Sequence, residues 1–195
     1  MSPPFTTLTS VAAPLIEDNI DTDIIIPSRE MKSTGKTGLA AGLFAGRRYL
    51  AGRTENPDFV LNQPAYRAAA ILLAGDNFGC GSSREHAVWA LAEHGIRAVI
   101  APSFSPIFAG NAVRGGLLPL VLPRASIATL AGEIFIDLPA QSVAAGDAIH
   151  AFAIDPEAKA MLIGGLDAID LTLQLAGRIA DWQQRNRAAR PWVYL

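Results

Sequence analysis

The residues best suited to chemistry form one short run, Gly79-Cys80-Gly81-Ser82-Ser83-Arg84-Glu85-His86. An apolar stretch before it, residues 68–73, predicts a buried strand, and the segment from about Ser83 to His94 predicts a helix. A turn in this position points backbone N–H groups and the positive end of the helix dipole at whatever lies there. The run therefore predicts an anion site, and the same donors would stabilise the alkoxide of a serine held among them.

Ser82 has two competing interpretations. Together with Glu85, three residues later, it forms the pattern of a capping box, which many helices use simply to begin. A cap alone does not require Gly79 and Gly81 on either side of one residue. Nor does it require Arg84 in the first turn, where a cation opposes the helix dipole. An anion that binds the arginine through a forked pair of hydrogen bonds, such as a substrate carboxylate, explains these features better.

Other reactive side chains give weaker signals. The glycine run lacks both the Gly-Lys-Ser/Thr ending of a P-loop and the Gly-x-Ser-x-Gly pattern of a nucleophile elbow. Asp21 and Asp23 either order a turn or bind a cation, and turn chemistry is the favoured interpretation. Cys80 is either an exposed thiol or a small apolar residue packed in the turn, and the packed residue is the favoured interpretation. The three histidines are isolated and predict surface or packed residues: His86, His94 and His150.

Composition limits the class of protein. The chain has 195 residues, of which 50% are hydrophobic and 17% charged, so we expect one compact domain spanning residues 1–195. A helical C-terminal region is predicted from the helical spacing of Leu171, Leu175, Ile179 and Trp182. The net charge is −2 and no long Lys/Arg block occurs, so nucleic acid is not an expected partner. A single cysteine excludes an intramolecular disulfide and a cysteine-cluster metal site.

Location is predicted from what the sequence does not contain. No apolar run reaches the length of about 18 residues that a membrane span needs. The N-terminal residues 1–5 lack a basic region followed by an apolar core, the pattern of a signal peptide. We therefore expect no membrane partner and a cytoplasmic location.

The elements that must position the glycine run alternate between strand and helix, which predicts an α/β fold with a mixed, partly parallel sheet flanked by helices. Ile24–Ile26 is predicted to be a β-branched strand that ends at Pro27. Residues 28–38 are predicted to be a loop, and residues 39–49 a helix. Ser105 followed by a proline predicts a helix that ends near Arg114.

Several runs, in this order along nearly the whole chain, resemble the small subunit of 3-isopropylmalate dehydratase, an aconitase-superfamily enzyme also called isopropylmalate isomerase. The matching runs are Asn19–Pro27, Asn56–Asn62 and Asp76–Ala87, followed by shorter matches at Ser103-Phe104, Ile107-Phe108, Asn111, Gly116–Pro119, Gly165–Ile169 and Thr172–Gln174. This resemblance implies a swivelling β/β/α domain that forms an active site with a separate large subunit. It also implies that the large subunit holds a [4Fe–4S] cluster and that this chain holds no metal.

The same resemblance implies roles for the residues of the glycine run. Ser82 would be the base that removes the proton beside a carboxylate of a small hydroxy-diacid. Arg84 would bind a substrate carboxylate, supported by Ser83 and Gly81. The reaction would be the dehydration and rehydration that interconverts 2-isopropylmalate and 3-isopropylmalate, in leucine biosynthesis.

One segment departs from the family pattern. Where relatives often have an aromatic residue, leucine and lysine, this chain reads Ser28-Arg29-Glu30-Met31-Lys32. The corresponding loop is associated with substrate choice, so Arg29, Met31 and Lys32 are the predicted specificity residues. Met31 suits an isopropyl group, whereas Arg29, Lys32 or Lys36 suits a longer acidic group. Homoaconitate, 2-methylmalate and dimethylmalate stay open as substrates, and so does a non-catalytic anion-binding module.

Overall fold

The computed structural model describes residues 3–31 and 35–194, and a mixed sheet of seven strands runs through this part of the chain. The strands are β1 (Thr7–Leu15), β2 (Ile71–Ala74), β3 (Ala98–Ala101), β4 (Leu118–Val121), β5 (Glu133–Asp137), β6 (Ser142–Ala145) and β7 (Ala148–Ala151). Their order across the sheet is β4-β3-β2-β1-β5-β6-β7. The pairs between β4 and β1 are parallel, and those between β1 and β7 are antiparallel. The predicted mixed, partly parallel sheet is confirmed.

Helices flank the sheet and connect its parallel strands. They are α1 (Thr22–Ile25), α2 (Ala45–Arg48), α3 (Glu85–His94), α4 (Pro106–Arg114), α5 (Arg124–Ile127), α6 (Pro156–Gly164), α7 (Ala168–Leu173) and α8 (Ala176–Ala189). Short 3-10 segments occur at Ser28–Glu30, Ala40–Gly42, Ala51–Arg53, Val60–Asn62 and Pro191–Val193. Because α3 follows β2 and α4 follows β3, the connections after these two strands lie at the carboxyl edge of the parallel half, where α/β folds place their sites.

The core consists of two apolar clusters, and strand β2 contributes to both. Ile71 and Leu73 belong to one cluster, while Leu72 and Ala74 belong to the other. Side chains alternate between the faces of a strand, so both faces of β2 are covered. Because both faces are buried, every residue of the strand is apolar and its sequence does not alternate with polar residues.

The prediction of a strand at Ile24–Ile26 is wrong. Residues Thr22–Ile25 form the one-turn helix α1, and the carboxylate of Asp21 caps it by accepting the N–H of Ile24 at 2.7 Å. Ile25 and Ile26 are fully buried. The apolar run therefore reflects burial of a helical turn and the residue after it, which periodicity alone cannot distinguish from a buried strand.

The prediction of one helix over residues 39–49 is also wrong. The segment divides into the 3-10 turn Ala40–Gly42 and the helix α2, and between them Phe44 has a left-handed backbone with φ of 49°. The Phe44 ring is fully buried and lies 5.7 Å from the ring of Phe59. Tertiary packing of this ring therefore overrides the local preference for a continuous helix.

The C-terminal region is helical, as predicted, but it leaves much apolar surface exposed. No residue of α7 or α8 is buried, and Ile169, Leu173 and Trp182 are each more than half exposed. Within the described ranges, no helix has both the length and the apolar character needed to cross a membrane.

Candidate active site at the glycine turn

The glycine turn, residues 79–84, lies between β2 and α3 and is held by backbone hydrogen bonds to Ile20, just before α1, and to Thr22, the first residue of α1. The N–H of Gly79 donates to the carbonyl of Ile20 at 2.7 Å, and the N–H of Thr22 donates to the carbonyl of Cys80 at 2.9 Å. These bonds join parts of the chain about 60 residues apart in sequence. The position of the turn is thus fixed by main-chain contacts, independently of most side chains.

Two glycines are required by the shape of the turn. Gly79 has φ of 75°, and a Cβ added there would overlap the ring of Phe108, which is almost fully buried. Gly81 has φ of 89°, and its added Cβ would meet only ordinary contacts, the nearest at 3.4 Å from Asp21 Cβ. Gly79 is therefore needed for space as well as for its backbone angle, and Gly81 for its backbone angle alone.

Ser82 is exposed, and its hydroxyl makes no hydrogen bond within the part of the chain that the structure describes. Its carbonyl accepts the hydroxyl of Thr22 at 3.1 Å, and Thr22 is only 2% exposed. The backbone of Ser82 is therefore fixed while its side chain is free to meet a ligand.

The capping-box interpretation of Ser82 is wrong. Helix α3 begins at Glu85, two residues later than predicted, and its N-cap residue is Arg84, which makes no side-chain capping bond. Because Ser82 lies two residues before the cap position, its hydroxyl does not close the helix. The residue type at position 82 is left without a structural role, which favours the functional interpretation.

Arg84 forms an ion pair with Asp23, and its side chain is 21% exposed. The same carboxylate accepts the hydroxyl of Ser28 at 3.2 Å. The hydrogen bond from Arg84 lowers the pKa of Asp23 more than burial raises it, and Ser28 lowers it further. A guanidinium has five donors, so this pairing orients Arg84 and leaves donors for a second carboxylate.

Asp23 is the functional neighbour that the sequence did not identify. Turn chemistry is correct for Asp21, which caps α1, but Asp23 contacts the arginine 61 residues further along the chain. The Asp-x-Asp spacing was the only available signal, and spacing alone does not show which of the two carboxylates pairs with the arginine.

Beside this pair lies an open cavity of about 560 Å³. Its polar lining consists of Asp21, Asp23, Ser28, Arg29 and Arg47. The side chain of Arg29 is 68% exposed, and Arg47 pairs with Glu17 at 2.6 Å. The cavity thus brings an exposed cation near the Asp23–Arg84 pair.

The remaining predicted site residues are placed differently. Ser83 is exposed, and its hydroxyl makes no hydrogen bond to any residue that the structure describes. Met31 is partly buried and packs against the larger apolar cluster. Lys32 lies outside the described residues.

The three histidines have ordinary environments, and Cys80 is partly buried. The rings of His86 and Trp89 lie 4.8 Å apart, and His150 lies 2.8 Å from the hydroxyl of Thr129. Burial lowers the pKa of His94, and the nearby Arg48 lowers it further. Over residues 3–31 and 35–194, His, Cys, Asp and Glu side chains form no group of three or more suited to a metal.

Comparisons with known proteins define the class of this fold and site. The family model for the aconitase C-terminal domain matches residues 2–125, which is more than half of the chain. The family model for the C-terminal domain of the 3-isopropylmalate dehydratase small subunit matches residues 169–194. The two matches cover the glycine turn and the exposed C-terminal helix separately.

Whole-chain relatives define the family more closely. The 3-isopropylmalate dehydratase small subunit of Cupriavidus necator is 54% identical over 203 residues, covering 98% of each chain. That of Rhodospirillum centenum is 50% identical, covering 97% of this chain and 98% of the relative. The crystal structure of 3-isopropylmalate dehydratase from Methanocaldococcus jannaschii is 28% identical with a TM-score of 0.70, covering 90% of this chain and 99% of its own. This chain belongs to the family of 3-isopropylmalate dehydratase small subunits.

Proposed function

We propose that this chain supplies the base and a carboxylate-binding arginine to a two-subunit hydro-lyase. The enzyme interconverts 2-isopropylmalate and 3-isopropylmalate through 2-isopropylmaleate, in leucine biosynthesis. The observation that carries the proposal is the exposed hydroxyl of Ser82, without a hydrogen bond in the described chain, beside Arg84 at the start of α3. In this view residues 1–195 act as one swivelling domain with a helical C-terminal region.

Ser82 is the proposed base. In the dehydration step its oxygen takes the proton from the carbon beside a carboxylate, the electron pair of that C–H bond forms the double bond, and hydroxide leaves. In the rehydration step water adds in the opposite orientation, and Ser82 returns a proton to the other carbon. The positive end of the dipole of α3, whose N-cap residue lies two residues after Ser82, would favour the deprotonated serine and lower the cost of forming it.

Arg84 is the proposed ligand of one of the two carboxylates, which are present in both 2- and 3-isopropylmalate. Its pairing with Asp23 restricts the guanidinium to one orientation, so less conformational freedom is lost when substrate binds. Ser83 and the backbone at Gly81 are proposed to complete the binding of this carboxylate. The exposure of Ser82 and Ser83 suits a site that closes only when a second chain covers it.

The partner is proposed to complete the reaction centre. A [4Fe–4S] cluster on the large subunit would act as a Lewis acid towards the leaving hydroxyl. A biosynthetic complex of this kind is proposed to work in the cytoplasm, without nucleic acid or membrane as partners.

The experiment that tests the proposal is anaerobic co-purification of this chain with its large subunit, followed by assays with a panel of hydroxy-diacids. We expect the complex to use isopropylmalate best, and this chain alone to be inactive and free of iron. Turnover by this chain alone in metal-chelated buffer would overturn the proposal. Preference for homoaconitate, 2-methylmalate or dimethylmalate would keep the reaction type and replace the substrate.

A further inference from the structure

Glu93, near the C-terminal end of α3, binds the backbone of a distant segment. One carboxylate oxygen accepts the N–H of Gly38 at 2.7 Å, and the other accepts those of Leu39 at 2.5 Å and Ala40 at 2.8 Å. Burial alone would raise the pKa of Glu93, but the three N–H donors outweigh it and lower the pKa overall. A carboxylate with three backbone donors is charged and held in one position.

The segment that Glu93 holds is packed in turn against residues 28–30. A Cβ added to Gly42 would lie 2.7 Å from Cβ of Glu30, so the two short turns are in close contact. Arg53 binds both turns, because it donates to the carboxylate of Glu30 at 3.1 Å and to the carbonyl of Ala41 at 2.8 Å. A displacement of residues 38–42 must therefore displace Glu30 as well.

These contacts connect the two parts of the candidate site through one rigid element. The glycine turn lies at the N-terminal end of α3, and Glu93 lies near its C-terminal end. From Glu93 the contacts continue through residues 38–42 to Glu30, which lies between the specificity residues Arg29 and Met31. Trp89, one turn before Glu93 on the same face of α3, adds a contact with Lys36 at 5.2 Å.

We propose that Glu93 is a positioning residue that sets the separation between the glycine turn and residues 28–31, and thereby the selectivity for the side group of the substrate. The inference rests on the proposed function, in which Arg84 holds the shared carboxylate while residues 28–31 meet the variable group. Loss of the three N–H contacts releases residues 38–42, and with them Glu30 and its neighbours. The variable group then loses its fixed contact, while the glycine turn keeps its own hydrogen bonds.

The test uses the reconstituted complex with Glu93→Gln, which keeps the shape of the side chain but removes its charge and one acceptor oxygen. The ratio of kcat/KM for isopropylmalate to that for 2-methylmalate is expected to fall about tenfold, the order of effect of a displaced contact group. Hydrogen exchange at the amides of residues 38–40 should become faster. Glu55→Gln is the matched control, because Glu55 binds Arg67 at 2.6 Å outside this path.

An unchanged kcat/KM ratio in Glu93→Gln would overturn the inference, and so would amides of residues 38–40 that stay protected. If Glu93→Gln does not fold, Gly42→Ala is the second variant, because its added Cβ would lie 2.7 Å from Cβ of Glu30 and displace it. An unchanged kcat/KM ratio in Gly42→Ala would also overturn the inference. An inactive wild-type complex would instead contradict the proposed function, while the exchange of these amides would still test the contact with Glu93.

Discussion

The glycine turn, residues 79–84, and the 28–31 segment are held in opposite ways. Backbone hydrogen bonds to Ile20 and Thr22 fix the turn, and a buried phenylalanine lies directly against Gly79. Side chains fix the 28–31 segment, through Ser28 to Asp23 and through Glu30 to Arg53. The glycine turn, which is proposed to perform the chemistry, is thus positioned independently of most side chains. The 28–31 segment, which is proposed to select the substrate, is expected to move when a single one of these side chains is replaced.

The largest effect on activity is expected from Ser82→Ala. Loss of the base should lower kcat of the complex by about a thousandfold. The free energy of unfolding should change by less than about 0.5 kcal/mol, because the hydroxyl caps nothing. Ser126→Ala on α5 is the control. A near-normal kcat in a protein destabilised by about 1 kcal/mol would restore the capping interpretation.

Gly79→Ala tests how strictly the backbone of the turn is fixed. The new Cβ would overlap the ring of Phe108, and we expect a loss of about 3 kcal/mol in the free energy of unfolding. Gly132→Ala is a matched control, because Gly132 has φ of 74° with nothing within 4 Å of an added Cβ. Equal losses in the two variants, measured by urea unfolding, would show that contact with Phe108 contributes nothing.

Arg84→Lys separates charge from geometry in the turn. A lysine keeps the positive charge but cannot bind a carboxylate with two parallel N–H groups, so kcat/KM should fall by about tenfold to a hundredfold. Arg67→Lys, at a surface ion pair, is the control. An unchanged kcat/KM would show that Arg84 does not hold the substrate.

Met31→Ala tests the other side of the comparison. If Met31 contacts the isopropyl group, binding of the transition state should weaken by about 1–3 kcal/mol for isopropylmalate and less for a methyl analogue. Met31 also packs against the core, so melting temperature must be measured alongside the kinetics. A lower melting temperature with an unchanged kcat/KM ratio would assign Met31 a structural role only.

The smallest expected effect is on the pH dependence of stability, through the ion pairs of Arg124 beside the glycine turn. Arg124 binds Asp18 at 2.5 Å and Asp76 at 2.6 Å, joining the segments that follow β1 and β2. The hydrogen bond from Arg124, and next that from the N–H of Asp76, lower the pKa of Asp18 more than burial raises it. Because the folded pKa is the lower one, this contribution to stability is complete above the unfolded value of about 3.9 and is lost as pH falls through the folded value.

In Arg124→Gln the pKa of Asp18 is no longer lowered by Arg124. The melting temperature of this variant should therefore fall less than that of the wild type when the pH is lowered below about 4. An identical acid dependence in wild type and Arg124→Gln would contradict a role for this ion pair.

Local features of the chain were predictable from the sequence where local physics decides them. The glycine turn, the helix after it and the proline-initiated helix α4 all form, because capping residues, glycine and proline act over a few positions. The strand β6 was not predicted, since Ser142–Ala145 contains only one β-branched apolar residue.

Contacts between distant residues decided the rest. Asp23 meets Arg84 across 61 positions, and Glu93 meets Ala40 across 53. No spacing rule joins such residues. The family resemblance supplied the proposed roles of Ser82 and Arg84, whereas the contacts that orient them became visible only in the folded chain.

The central claim is that Ser82 moves the proton beside the carboxylate, and solvent exchange measures this step directly. The reconstituted complex should incorporate deuterium from D₂O at the carbon to which Ser82 returns a proton, at a rate comparable to turnover. Arg84→Lys at saturating substrate should still show exchange, whereas Ser82→Ala should show about a thousandfold less. Deuterium incorporation by Ser82→Ala at the wild-type rate would contradict the account.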